Sequence, residues 1–346
     1  MDKEIIFVSF GTGGTLGHMS LISHIVNKIT ENYKITIMSE YSYTKVFSLK
    51  KKNIKWVSLK KQEHMNSSGG AIEHISIDSI KEYCRKNDVG FVIFSTFFDK
   101  NLVRWLRGKK IKSFLVSYPL RDAHTSLFFL RNYNSLFDKI IILEDLYNIE
   151  MPSYISRAKP VFKLDEEKAA EPSNNLLVTC GGGGRHSAFK YFEIVKKIVP
   201  VIRKLFPFLY ITIIYGPNSP RLDFSDCKCI QYTKYMGRYI KQAKTVISEA
   251  GYFTTHELIS LGKPGVLIPG NRRIDNQELR GIKYEKKKLG YCVMPEEKIN
   301  FLVNKIEKLI SDNSIYQVFQ NNCKNYIDLF KAKPDISEII MSELEK

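Results

Sequence analysis

The chain has 346 residues, 44% of them apolar, and carries a formal charge of +17 from 53 basic against 36 acidic side chains. That length is long for one hydrophobic core and suits two domains, while its longest apolar runs, such as FVIFSTFF at 91–98, fall short of the roughly 20 residues of a spanning helix. The basic excess is spread over both halves, so attraction to an anionic partner stands beside a plain lysine-rich composition.

Apolar runs predict strands near 4–10, 34–39, 54–58, 91–95, 112–117 and 139–143, and amphipathic spacing predicts helices near 17–31, 41–50, 72–86, 99–107 and 124–135. The first strand delivers the chain into GTGGTLGHMS at 11–20, where Gly11, Gly13, Gly14 and Gly17 let the backbone approach another molecule closely. The stretch lacks the Gly-Lys-Ser/Thr ending of a P-loop. Leu16 stands where a dinucleotide-binding G-x-G-x-x-G needs its third glycine. No signal-peptide pattern precedes the first strand, so a cytoplasmic location is expected.

The charged, proline-containing KLDEEKAAEPSNN at 163–175 reads as a linker, dividing the chain into domains 1–163 and 164–346. A second series follows: strand NLLVTC, glycines 181–184, helix SAFKYFEIVKKIV, strand YITIIYG, strand TVISEAG, helix TTHELISLG and strand GVLIP. Strands alternating with helices predict an α/β protein of two doubly wound Rossmann-like domains facing across a cleft, with ligands at the carboxyl ends of the strands. DISEIIMSELEK is a last amphipathic helix, expected to pack back towards the first domain.

The window from 244 to 281 brings two strand ends and a helix start within a short span. Thr254 and Glu257 have the spacing of a capping box. The alternative is that first-turn amides and the Thr254 and Thr255 hydroxyls meet a diphosphate, while Glu257 accepts two hydrogen bonds from a ribose diol. The six cysteines are scattered and read as free, mostly buried thiols, and no His/Cys set or H-E-x-x-H suggests a metal. His64, His74, His124 and His186 have no partner pattern. Arg104, Trp105, Arg107, Lys109, Lys110 and SLFFLRNY at 126–133 mix basic and aromatic groups, as a buried helix face with snorkelling cations or as a membrane-surface patch. Nucleic acid is not an expected partner, because no RRM, helix-turn-helix or zinc pattern accompanies the charge.

Gly251, Thr254, Glu257, the Gly-Lys-Pro turn at 262–264, Pro269 and Gln277 resemble the C-terminal motif of the MurG family of GT-B UDP-sugar glycosyltransferases. GGTLGH at 13–18 resembles the family's GGTGGH, GGGG at 181–184 falls at its second glycine loop, and LRD at 120–122 and FDKIIILED at 137–145 are similar to the MurG-like branch. The resemblance implies metal-independent transfer, with no cofactor, of a hexose or N-acetylhexosamine from a UDP-sugar, UDP-N-acetylglucosamine as the first choice, to an acceptor hydroxyl. A lipid-linked acceptor and contact with an anionic membrane at its inner face are further expectations. The donor residues it implies are Gly14, Gly17, Gly182, Gly183, Gly251, Thr254, Thr255, Glu257, Asn276 and Gln277.

The resemblance puts His18 at the reacting centre, where an imidazole titrating near neutrality would take a hydroxyl proton. Asp99 and Asp122, near predicted strand ends, are reserve bases. Two departures stand out. HMSLIS lacks a proline common in the family after the histidine, and Arg280–Gly281 replaces an Asn-Ala after the glutamine, which bears on how the donor sugar is read. A sugar-nucleotide 2-epimerase shares this architecture, and a non-catalytic sugar-nucleotide-binding subunit is the third alternative.

Overall fold

A computed structural model describes residues 3–10, 17–29, 32–39, 54–59, 61–65, 71–75, 77–120, 135–148, 150–162, 174–181, 185–216, 219, 221–272 and 275–346. The expected helix at 41–50, most of that at 124–135, and the linker at 163–173 lie outside these residues.

The first domain contains β1 (Glu4–Ser9), α1 (Gly17–Lys28), β2 (Ile35–Ser39), β3 (Ile54–Ser58), β4 (Lys61–Met65), β5 (Ala71–Ile75), α2 (Ile77–Lys86), β6 (Val89–Ser95), α3 (Lys100–Gly108), β7 (Lys112–Ser117), β8 (Lys139–Leu143) and β9 (Ile155–Ala158). Seven of the strands form one parallel sheet in the order β3-β2-β1-β6-β7-β8-β9. β1 lies inside it, and both its faces are covered: Ile5 and Phe7 join the core under α1, Ile6 and Val8 the core under α2 and α3. A strand buried on both faces reads as a continuous apolar run, which is why EIIFVS was legible.

The segment 71–75 departs from expectation. It pairs antiparallel with β4 instead of extending α2, so a partner strand overrides the local helical spacing.

The second domain repeats the plan with β10 (Asn175–Thr179), α4 (Arg185–Leu205), β11 (Tyr210–Ile214), β12 (Lys228–Ile230), α5 (Met236–Gln242), β13 (Thr245–Glu249), α6 (Tyr252–Ser260), β14 (Gly265–Ile268), α7 (Gln277–Lys286), β15 (Tyr291–Cys292), α8 (Ile299–Ser311) and α9 (Asn313–Asp328). Its parallel sheet runs β12-β11-β10-β13-β14-β15. The order reverses between β10 and β13, as it does between β1 and β6 in the first sheet. Each reversal opens a crevice at the strands' carboxyl ends. α4 continues through Pro200 to Leu205, beyond the helix expected from the sequence; the proline and Lys196 are exposed, so the carbonyl that Pro200 leaves without a donor can turn to water.

α10 (Ile336–Leu344) returns to the first domain, where Ile336, Ile340 and Leu344 complete the core under α1. Asp335 caps it in a capping box with Glu338. The Asp335 carboxylate also lies 3.1 Å from His24 Nε2 and accepts from Lys28 Nζ at 2.7 Å. Burial alone would raise the pKa of this carboxyl, but His24, Lys28 and Ser337 hold it well below the usual carboxylate range.

Candidate functional site

The two crevices face one another through helix starts. In the second domain, β10 ends at Thr179 ahead of Cys180 and Gly181, and β13 ends at Glu249 ahead of Ala250 and Gly251. Gly181 has a φ of +66°, and a Cβ placed on it would lie 2.6 Å from Thr254 Oγ1, so only glycine fits where this turn meets α6. Gly251 is the N-cap of α6 and makes no side-chain cap bond. The first helical bond runs from Thr255 N to Gly251 O at 2.9 Å. Helix geometry therefore leaves the amides of Tyr252, Phe253 and Thr254 without carbonyls inside α6, aimed at the crevice.

This start corrects the capping-box alternative. α6 begins before Thr254, which sits within the first turn, and Glu257 lies in mid-helix, too far along to reach back to the cap. Glu257 is buried, as is Thr255, whose Oγ1 has no hydrogen-bond partner and no access to solvent. Thr255 thus faces packing rather than open crevice. Asn276 caps α7 by accepting from Leu279 N at 3.2 Å. Gln277 turns its Oε1 to the Gly270 amide at 2.8 Å, fastening the end of β14, while its Nε2 lies on the Gly251 side, 3.8 Å from where a Cβ on that glycine would stand. Beside them Glu249 pairs with Arg272 at 2.7 Å. Gly14, Gly182, Gly183 and Asp122 lie outside the described residues.

On the opposing side α1 starts at Gly17, with Phe253 of α6 in contact range, 3.7 Å from where a Cβ on the glycine would stand. His18 follows and is 4% exposed. Its ring meets Phe97 edge-on at 5.1 Å and stacks on Tyr118 at 6.1 Å between centroids. Nδ1 has no partner, and burial depresses the pKa to about 4. The expected titration near neutrality is corrected: the imidazole is neutral throughout the physiological range and is a weak proton acceptor. Ser95, at the end of β6, donates to His18 O at 3.2 Å. Thr96 next to it is buried with a φ of 67°, a conformation that costs a β-branched residue about 1–2 kcal/mol.

Asp99 is placed elsewhere. Its side chain accepts from Leu102 N at 2.8 Å and caps α3, so its role is structural. The basic and aromatic stretch at 104–110 divides similarly: Leu106 is buried, and Trp105 packs on the first-domain core with the Arg85 guanidinium 5.4 Å above its ring. The apolar side of that portion is covered while Arg104, Arg107, Lys109 and Lys110 are exposed, and 126–133 lies outside the described residues.

An aromatic stack joins the halves. Tyr118 stacks on Tyr252 at 5.1 Å, Tyr252 lies 4.4 Å from His256, and Tyr252 Oη donates to Glu144 O at 2.7 Å. Beneath it, fully buried Arg280 of α7 pairs with Asp145 of the first domain at 2.8 Å. Sequence reasoning missed Tyr118, Tyr252, Thr96 and Asp145. Asp145 left a signal only as the last letter of FDKIIILED, and Arg280 as a departure from a family pattern.

Among the described residues, no group of three or more His, Cys, Asp or Glu side chains is arranged to hold a metal, and no helix is long and apolar enough to cross a membrane.

Residues 175–334 match the family model for the glycosyltransferase family 28 C-terminal domain. Among curated proteins, the chain is similar to UDP-N-acetylglucosamine--N-acetylmuramyl-(pentapeptide) pyrophosphoryl-undecaprenol N-acetylglucosamine transferases. That of Caldicellulosiruptor saccharolyticus is 25% identical over 75% of this chain and 60% of its own length. That of Rickettsia akari is 24% identical over 51% and 49%. The chain thus spans less than two thirds of these relatives. Among solved structures, MurG of Acinetobacter baumannii superposes with a TM-score of 0.62 at 13% identity over 99% of both chains. The spinosyn forosaminyltransferase SpnP gives 0.67 at 11%, over 100% of this chain and 99% of the other. Phytolacca americana UGT2, complexed with UDP-2-fluoro-glucose and pterostilbene, gives 0.64 at 13%, over 99% of both. These likenesses show the fold, which is GT-B.

Proposed function

We propose, from the premise of a MurG-like chain of GT-B fold, that the protein transfers N-acetylglucosamine, or a related hexose, from its UDP derivative to an acceptor hydroxyl. The observation that carries this reading is the apposition of Gly17 and His18 at the start of α1 with the first turn of α6, which itself touches Gly181. A diphosphate between the two helix starts would meet oriented amides and the positive ends of two helix dipoles.

The second domain is the donor half. Thr254 and the amides of the first turn of α6 hold the diphosphate, Glu257 takes the ribose hydroxyls, and Gln277 Nε2 addresses the sugar. In the reaction an acceptor oxygen forms the bond to the anomeric carbon. The bond from that carbon to the diphosphate breaks, and UDP leaves with its electron pair. His18 is neutral, and its Nδ1 is enclosed and without a partner, so it takes the hydrogen bond of the incoming hydroxyl only once the rings of Phe97 and Tyr118 beside it shift. Its low basicity makes it an orienting group first, and the hydroxyl proton passes to the departing diphosphate or to water as the new bond forms.

The curated relatives are named for a lipid-linked acceptor. We extend that acceptor class to this chain, with the +17 charge drawing the protein to an anionic cytoplasmic membrane face. Calorimetric titration with UDP and UDP-N-acetylglucosamine, followed by sugar analysis without acceptor, tests the reading. Micromolar binding with only slow hydrolysis is expected. No binding of UDP sinks it, and conversion of the free sugar nucleotide to its 2-epimer replaces it with the epimerase.

A further inference from the structure

Arg280 has no part in that chemistry, yet it is the largest fully buried side chain among the described residues. Its Nε lies 3.2 and 2.9 Å from the two Asp145 oxygens, and Nη2 donates to Asp145 Oδ2 at 2.8 Å, a fork closed on one carboxylate. Nη1 donates to Ala250 O at 2.8 Å and stands 2.8 Å from Asp275 Oδ1. The guanidinium also lies 5.4 Å from the Tyr252 ring.

Each of these partners stands at a different part of the site. Asp145 follows β8 in the first domain, Ala250 precedes the N-cap of α6, and Asp275 precedes the cap of α7 and Gln277. Two carboxylates face one guanidinium, Asp145 shut off from solvent with it and Asp275 partly exposed. His256 adds no charge: its Nδ1 is 2.9 Å from Tyr252 O, its Nε2 is 3.8 Å from Asp145 Oδ1, and burial lowers its pKa. Drawing the domains apart would strip Asp145 from Arg280 and strand a buried charge, so this contact has two discrete states rather than a graded one.

We propose that Arg280 is a positioning residue that registers the acceptor half against the donor half, so that occupancy at the start of α6 is felt at the start of α1. The route is continuous. Arg280 holds Ala250 O beside the α6 cap and faces Tyr252, Tyr252 stacks on Tyr118, and Tyr118 stacks on His18. The inference rests on the donor reading above for its ligand, and on the ion pair alone for its mechanics. A lysine in place of Arg280 keeps the charge but cannot form the fork and the third bond together.

Hydrogen exchange by mass spectrometry on the full chain, with and without UDP, tests this in the wild type, Asp145→Asn and Arg280→Lys. In the wild type, UDP should slow exchange about tenfold in peptides covering 250–258 and also in those covering 17–25. In both variants, slowing at 250–258 should persist while that at 17–25 shrinks below about twofold. Undiminished slowing at 17–25 in the variants overturns the proposal. If UDP protects nothing in the wild type, the donor reading fails separately, and the ligand-free proteins decide the latch. Asp145→Asn should then raise exchange at 17–25 and 250–258 together, about tenfold relative to 174–181. A uniform rise, or none, overturns it.

Discussion

Gly181 and Thr254 meet across the crevice of the second sheet, with Thr254 Oγ1 in the space a Cβ on Gly181 would need. Gly181→Ala should cost about 1–2 kcal/mol from its left-handed backbone alone, and more from displacing α6. Adding Thr254→Ala should recover the second part and leave the first, because the Thr254 Cβ stands back at 3.8 Å. Denaturant midpoints of the single and double variants measure both parts. Equal stability of the two variants would show that the contact carries no strain.

His18 ties stability to pH in a definite direction. Burial lowers its pKa from 6.5 to about 4, so between those values the unfolded chain binds a proton that the folded chain refuses. Stability should therefore be full above pH 6.5 and fall by up to about 3 kcal/mol as acid is added through that window. His18→Asn should flatten this component in urea titrations between pH 4 and 6.5.

The same shift shapes turnover. The wild-type rate should show no imidazole inflection between about pH 6 and 8, since His18 is already neutral there. His18→Asn should lower kcat by about 10²-fold, the low end for a positioned proton acceptor, with donor affinity unchanged. An inflection near 6.5 that vanishes in the variant would contradict the buried, depressed imidazole.

Asp99 and Gln277 are separated by conservative replacements. Asparagine caps helices as well as aspartate, so Asp99→Asn should keep both stability and activity, while Asp99→Ala loses about 1 kcal/mol. Loss of activity in Asp99→Asn would restore it as a base. Gln277→Glu keeps an acceptor for the Gly270 amide and removes the Nε2 donor. It should fold normally, bind UDP nearly as well, and bind UDP-N-acetylglucosamine about tenfold more weakly. Equal losses for both ligands would remove Gln277 from sugar recognition.

Asp335→Ala should destabilise the protein by about 2 kcal/mol or more, through loss of a helix cap and of a carboxylate shared by His24 and Lys28. Because that carboxyl is held well below its ordinary pKa, its contribution is full above about pH 4 and is lost only on strong acidification. Thermal unfolding at pH 7 and pH 3 measures both.

The sheets were legible because strands buried on both faces spell themselves as apolar runs, as EIIFVS and NLLVT do. The crevice of the second sheet was legible because glycine at 181 and 251 marks places where backbone must turn or begin a helix. Roles that depend on where a helix starts were not. Thr254-x-x-Glu257 had the letters of a capping box without the position, whereas DISE had both, at Asp335 and Glu338. Asp99 near a strand end had the look of a base until α3 claimed its carboxylate. The pairing of Asp145 with Arg280 spans 135 positions, a separation across which local pattern carries no information.

The return of α10 has a consequence for the order in which the protein can be made. Ile336, Ile340 and Leu344 are built into the hydrophobic layer that begins with Ile5 and Phe7. As the chain emerges from the ribosome, the half that is synthesised first therefore waits, with one flank of α1 uncovered, until residues made after the entire second sheet arrive to close it. Domain-by-domain maturation, the usual course for tandem domains, is here replaced by a join that waits for residues beyond the second sheet. Pulse-chase proteolysis should find the early half protease-sensitive until residue 344 is released.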